Sequence, residues 1–212
     1  MNINTFALGP LGTNGYLVSD KHGNAVFIDP ADETSFIMDW IKENNLKLKA
    51  ILLTHGHIDH VAGLGDNSFT DMVNGEIYIN VLDSVMVLKP QKEFALMLGF
   101  NFDGISSFKN IEDGEELSFG DLIVKVIATP GHTEGSVCLL IKEREGISAL
   151  FSGDTLFAGS VGRTDLPGGD FPVLKSSLVK LASLPSELVV YPGHGPLTTL
   201  LHEMRKNPFW PR

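Results

Sequence analysis

A single cysteine, Cys138, excludes any disulfide within this 212-residue chain. It sits in the apolar run Ser136–Ile141 and reads as a small buried hydrophobe rather than a reactive thiol. Basic residues are scarce as well. Lys and Arg total 16 against 26 Asp and Glu, a formal charge of −10. That balance argues against a nucleic-acid surface, which needs a basic face to neutralise phosphates. No stretch approaches the ~20 apolar residues that span a bilayer, so no membrane partner is expected. The segment Met1–Gly12 lacks the basic start and apolar middle of a secretory signal, so a cytoplasmic location is the expectation. Low-complexity linkers and repeats of fixed period are also missing, and residues 1–212 are expected to form one domain.

What is present is a normal globular composition, 43% apolar and 20% charged, which permits a full core. Ile3–Leu8, Tyr16–Ser19 and Ala25–Asp29 read as strands separated by glycine-rich turns. A helix capped by Asp32 follows, with Phe36, Ile37, Trp40 and Ile41 on one face. Leu48–Leu53 is apolar enough for a strand buried on both sides. Further strands are predicted at Glu76–Ile79, Glu116–Phe119, Leu122–Ala128, Ser136–Ile141, Ile147–Phe151 and Leu188–Tyr191, and helices at Phe171–Ser183 and Thr198–Lys206. The Met- and Phe-containing stretch Val81–Ser107 reads as one or two helices over the site, its apolar residues core rather than substrate pocket. Strands closed by helices, twice over, imply an α/β fold with two sheets inside and helices outside.

The chain's chemistry concentrates in Thr54-His55-Gly56-His57-Ile58-Asp59-His60, with three of its seven histidines within six positions. Imidazole and carboxylate at this density, without cysteine, form a ligand set for zinc or a similar divalent ion. The tripeptide Pro130-Gly131-His132 recurs as Pro192-Gly193-His194, each directly after an apolar strand, and Gly153-Asp154 follows another. Four strand ends therefore deliver His or Asp to one edge of the sheets. His55 and His57, two residues apart, can grip one ion, with His132 completing that site. Asp59 and His60 suit a second ion with His194, while Asp154 can bridge. Such sets leave positions open for water, as catalytic rather than structural sites do. Asp59 and Asp154 are accordingly the candidate catalytic carboxylates as well as ligands. Two divalent ions are expected, zinc first, with iron or manganese also suited.

The pattern His55-x-His57-x-Asp59-His60, followed by His132, Asp154 and His194, resembles the metallo-β-lactamase fold superfamily over nearly the whole chain. Gly131–Ser136, Ser152–Phe157 and Gly162–Asp165 resemble the glyoxalase II-like hydroxyacylglutathione hydrolases. The resemblance implies a four-layer αβ/βα sandwich of two mixed sheets with a dinuclear site, and it gives Asp29 the role of supporting the metal loop from behind. It also implies a short form of the family, since the chain as given ends at Arg212 without the C-terminal helical extension that holds glutathione.

A hydroxide on such ions attacks at neutral pH because they lower the pKa of water to about 7. A thiol leaving group with a pKa near ~8.5 then needs no strong general acid. The expected activity is thus metal-dependent hydrolysis of small-molecule thioesters such as S-2-hydroxyacylglutathione (S-lactoylglutathione-like). The alternative within the same fold is an iron-dependent persulfide dioxygenase with one ion. His22 and His202 read as surface residues and Tyr191 as core. Arg163 either meets a substrate carboxylate or pairs with Asp165 or Asp170, the pairing being preferred. Thr133 and Ser136 either orient His132 or cap its turn.

Overall fold

The computed structural model describes residues 1–211 except residues 33, 145 and 147. Its first sheet runs in the order β1 (Asn2–Leu8), β2 (Thr13–Ser19), β3 (Asn24–Ile28), β4 (Lys47–Leu52), β5 (Ile77–Ile79) and β6 (Lys109–Asn110). The first three strands pair antiparallel and the later ones parallel. The second sheet comprises β7 (Glu116–Phe119), β8 (Leu122–Ala128), β9 (Val137–Glu143), β10 (Ser148–Gly153), β11 (Val189–Pro192) and β12 (Thr198–Thr199). Its pairings are antiparallel except for β10 with β11. Both sheets are therefore mixed.

Alternation along the strands builds the layers. Tyr16, Val18, Val26, Ile28, Ala50 and Leu52 face the second sheet and pack with Val124, Val126, Leu139, Ile141 and Phe151. The intervening Leu17, Phe27 and Ile51 face outward onto helix α1 (Thr34–Glu43) and its neighbours. On the other side Ile127, Cys138, Leu150 and Val190 pack under α6 (Phe171–Leu181) and α7 (Leu200–Lys206). Because helices cover both outer faces, the central strands carry consecutive buried apolar residues, such as Ala25–Ile28 and Ala50–Leu53, rather than alternately polar ones. The result is the expected αβ/βα four-layer sandwich.

Local rules explain the helix bounds. α1 buries Ile37 and Ile41, one turn apart, and stops where Asn45 takes a left-handed φ of 53°. Phe36 and Trp40, expected on the same inner face, are instead partly exposed and stack edge-on against Phe6 of β1. Their neighbour is the border of the sheet, which helical periodicity cannot reveal. Asp170 caps α6 by accepting from the Val173 N–H at 3.0 Å, with Pro172 in the first turn. Thr198, predicted as helical, lies in β12, and α7 begins at Leu200. Ile147, predicted to open a strand, lies outside the described residues, as does Arg212.

Between β4 and β5 come two short helices, α2 (Ile58–Val61) and α3 (Asn67–Asp71). Between β5 and β6 come α4 (Ser84–Leu88) and α5 (Lys92–Met97), as the sequence predicts for that stretch. The two sheets are joined along one edge by main-chain bonds. Val137 N–H donates to the Thr54 carbonyl at 2.8 Å, and Asn14 N–H to the Gly193 carbonyl at 2.7 Å. That seam carries the histidines. No helix among the described residues is long and apolar enough to cross a membrane.

Candidate metal centre

Four strand ends meet at the seam. β4 runs into His55–His60, β8 into His132, β10 into Asp154 and β11 into His194. The ligating atoms of His55, His57 and His132 lie within 4.8 Å of one another, and so do those of Asp59, His60 and His194. These are the two sets the sequence divides between two ions. Asp154 stands between them: its Oδ2 is 3.6 Å from His132 Nε2 and 3.7 Å from His194 Nε2, and its Oδ1 is 3.3 Å from His60 Nε2. All seven predicted residues are therefore brought together. Asp29, His55 and His60 also form a close group, but the Asp29 carboxylate is already engaged by hydrogen bonds.

Those bonds orient the imidazoles. Asp29 Oδ1 accepts from the Thr54 N–H at 2.8 Å, and Oδ2 from the Thr54 hydroxyl at 2.6 Å and His60 Nδ1 at 2.9 Å. With its proton given to Asp29, the Thr54 hydroxyl is left to accept from His55 Nδ1, 3.1 Å away. His132 Nδ1 donates to the Arg163 carbonyl at 2.7 Å. In each ring Nδ1 faces a fixed partner and Nε2 is turned to the centre, an arrangement typical of metal-bound histidine. His57 presents its Nδ1 instead, 2.9 Å from His132 Nε2. Asp29 holds this position from a left-handed φ of 52°, unusual for a residue other than glycine.

The fit to a cation can be tested on the polar atoms themselves. Among the described residues, the buried side-chain atoms without a hydrogen-bond partner are His55 Nε2, His60 Nε2 and Asp154 Oδ1, and all three face this centre. Leaving such groups unsatisfied costs about 1–3 kcal/mol each, and bound divalent ions would satisfy them. Burial, reinforced by the other imidazoles, pushes His55 well below the usual value, and burial with His132 lowers His57 to about 4. Both are neutral at pH 7 and offer lone pairs. Burial also pushes His60 down, but Asp154 and Asp29 outweigh it and raise its pKa well above normal. Burial pushes Asp59 and Asp154 up, but the surrounding histidines outweigh it and hold both below the usual carboxylate range. The donors are nitrogen and oxygen only, so they fit zinc, iron or manganese.

Glycine is required where these loops converge. A Cβ on Gly193 would lie 2.3 Å from Asp154 Oδ1 and 2.6 Å from His60 Cε1. One on Gly153, at φ 46°, would lie 2.4 Å from Thr54 Oγ1.

One residue was not anticipated from the sequence. Asp83, just before α4, is buried and accepts from Gly56 N–H (3.0 Å), Gly135 N–H (2.8 Å) and the Thr133 hydroxyl (2.6 Å). It thereby ties the His55–His57 loop to the loop after His132. Burial raises its pKa against these three donors. The one sequence hint is an acid inside the apolar run Val81–Val87. Thr133 and Ser136 bond each other, and the Thr133 hydroxyl bonds Asp83, so they brace the loop rather than touch the His132 ring. The Arg163 side chain forms a bidentate pair with Asp165 at 2.7 and 2.8 Å, the preferred of its two predicted roles. Tyr191 packs on Phe151 and Tyr16, and His22 and His202 are exposed.

Beside His57 a cleft of about 500 Å³ opens between the α4–α5 segment and residues 133–134 and 166–168. Its wall corrects the reading of Val81–Ser107 as core. Leu82, Val85 and Phe94 are exposed there, while Val87, Ala95, Phe100 and Phe102 are buried.

Comparison with known proteins agrees with this geometry. A hydroxyacylglutathione hydrolase, GloC, of Haemophilus influenzae is 34% identical over 99% of this chain and 98% of its own length. The crystal structure of BLEG-1, a B3 metallo-β-lactamase, superposes with a TM-score of 0.88 at 34% identity, covering 98% of this chain and 99% of that one. TTHA1623, in a di-iron-bound form, gives 0.84 at 39% identity over 97% and 99%. The family model of the metallo-beta-lactamase superfamily matches residues 8–194, a span that runs from the end of β1 through His194. By that match and by its fold, the chain belongs to the metallo-β-lactamase superfamily.

Proposed function

We propose that this chain is a metal-dependent thioester hydrolase, with S-2-hydroxyacylglutathione-like compounds the first substrates to test. The observation that carries the reading is the pair of complete ligand sets meeting at Asp154, with three buried polar atoms unsatisfied at their junction. His55, His57 and His132 would hold one ion, Asp59, His60 and His194 the other, and Asp154 would face both. Divalent ions so placed supply a nucleophile at neutral pH by lowering the pKa of bound water, and they polarise a carbonyl. The chain's own part is to fix the rings. Asp29, Thr54 and the Arg163 carbonyl hold the Nδ1 protons, and Asp83 holds the loops.

The leaving group follows from what lines the cleft. Its one imidazole is His57, a member of the ligand set, so no separate histidine there is free to protonate a poor leaving group. A thiolate leaves without such help, whereas an amine does not. GloC supplies the acyl-glutathione class by similarity. The ions are proposed as zinc, with iron the competitor because TTHA1623 is known in a di-iron-bound form. Completeness of both ligand sets favours two ions over the single iron of the persulfide dioxygenase alternative. The charge of −10 supports a small-molecule partner rather than nucleic acid, and a cytoplasmic setting belongs to the same reading.

The test is hydrolysis of S-lactoylglutathione and simpler thioesters by metal-loaded protein, before and after chelation. Chelation, or His57→Ala, is expected to lower kcat on the order of 10³-fold or more. Full turnover in verified metal-free protein overturns the reading. Turnover of a β-lactam with no thioester cleavage replaces it.

A further inference from the structure

The cleft beside His57 is built for chemistry other than glutathione's. Ile58, Leu82, Val85, Met86, Phe94 and Leu166 are among its lining side chains. Leu82 is 58% exposed, Val85 62% and Phe94 45%. Three large apolar residues left in water, Leu82 in the turn before α4, Val85 on α4 and Phe94 on α5, mark a surface that a ligand covers. Gly56 and His57 line the cleft, so its occupant lies beside the candidate metal centre.

Charge narrows the occupant further. Lys89 is the one cation lining the cleft, and Asp83 and Glu134 are its acids. Asp83 is turned into the loop hydrogen bonds described above. Arg163 lines no part of the cleft and is held by Asp165. A glutathione moiety carries two carboxylates, an ammonium and two amides; Lys89 is a partner for one carboxylate and the exposed Glu134 for the ammonium, and the second carboxylate has no cation left in the cleft. An aliphatic or aromatic arm ending in one anionic group matches both the apolar wall and the single lysine. A volume near 500 Å³ lies within the range of pockets that enclose a small organic ligand.

We propose that this cleft is the specificity site, and that the preferred substrates are apolar, singly anionic thioesters rather than glutathione thioesters. The proposal rests on the thioester hydrolysis proposed above and replaces the acyl-glutathiones, taken there from GloC by similarity, as the preferred substrate class. Phe94, Leu82 and Val85 grip the apolar arm, and Lys89 receives the anion.

Binding of uncleavable thioethers tests this apart from turnover. S-methyl-, S-butyl- and S-octyl-3-mercaptopropionate, and S-methylglutathione as control, are titrated calorimetrically into metal-loaded protein. Affinity is expected to rise roughly 3–4-fold per methylene from methyl to butyl, the gain from burying each CH₂, with S-methylglutathione no tighter than the methyl homologue. Phe94→Ser is expected to flatten the length dependence at least ~10-fold at octyl. Lys89→Gln is expected to weaken the carboxylates while sparing their methyl esters. Leu82→Ser is a second variant should Phe94→Ser fail to fold. No length dependence, or tighter binding of S-methylglutathione, overturns the proposal whatever the activity. Kinetics keep the two claims apart. Thioester cleavage without chain-length preference leaves the hydrolase standing and refutes the cleft. Length-dependent binding without cleavage of any thioester refutes the hydrolase and leaves the cleft an apolar-anion site.

Discussion

Around the candidate metal centre, the floor formed by residues 54–60, 132 and 154 and the wall formed by Leu82, α4 and α5 are built on opposite terms. Floor side chains such as His55, His60 and His132 are buried, and each Nδ1 has a fixed acceptor. Wall side chains such as Leu82, Val85 and Phe94 are exposed and apolar, with no hydrogen bond to set their direction. Both lie within reach of His57. The contrast separates two tasks: positioning reactive groups demands polar bonds in a dry setting, whereas accepting a variable apolar arm demands only area and shape. Substitutions in the floor should therefore act on metal affinity and stability together, and those in the wall on neither.

Asp29→Ala should have the largest effect. It removes a buried acceptor from Thr54 N–H, the Thr54 hydroxyl and His60 Nδ1. Denaturant unfolding should show a loss of about 3 kcal/mol or more, because buried donors are left without partners. Metal affinity should fall along with it. Asp83→Ala follows, with metal affinity lower by about 10–100-fold, the usual effect of losing a residue that supports ligands from behind. Competition with a chromogenic chelator measures it. Val85→Ser, two residues along in the wall, should leave metal affinity in place and shift stability by less than ~0.5 kcal/mol. An equal effect from both variants would dissolve the distinction between floor and wall.

Asp20 calibrates the comparison, since it is a buried and well-bonded carboxylate at the far end of β2 from the ligands. Burial pushes its pKa up, but N–H donors from Asp121, Asn24 and His22, with the Asn24 side chain, outweigh that and lower it to about 2. The folded value is depressed below the unfolded one, near ~3.9, so the stabilisation is complete above the unfolded value and is lost as pH falls toward 2. Asp20→Asn should therefore be less stable than the parent at pH 6, by on the order of 1 kcal/mol once solvent screening is allowed for, with the gap closing by pH 2. Metal content should not change.

Much of the floor is legible in the sequence because its chemistry restricts residue type. Few side chains other than His, Asp, Glu and Cys hold a divalent ion, so the candidate ligands stand out, and at Gly193 no side chain fits. The strands were legible too, since burial on both faces leaves uninterrupted apolar runs such as Ala25–Ile28 and Ala50–Leu53. The wall was not. Leu82 and Phe94 are the same residue types as buried Leu52 and Phe27, and composition cannot say which face is covered. Asp83 belongs to no short motif, because its partners lie 27 and 52 residues away and meet it only in the folded chain. The Arg163 side chain pairs with Asp165 as expected, but its carbonyl, which accepts from His132, is a group every residue possesses and so leaves no mark in the sequence.

The central claim is that the two ligand sets hold two ions with Asp154 between them. The most direct test is the metal-to-chain ratio of protein purified from its own host, with an anomalous-scattering map of the same sample. The account predicts two equivalents, one peak within the group of His55, His57 and His132 and one within the group of Asp59, His60 and His194, both adjoining Asp154. A single equivalent confined to one set, or a metal-free protein with full activity, would contradict it.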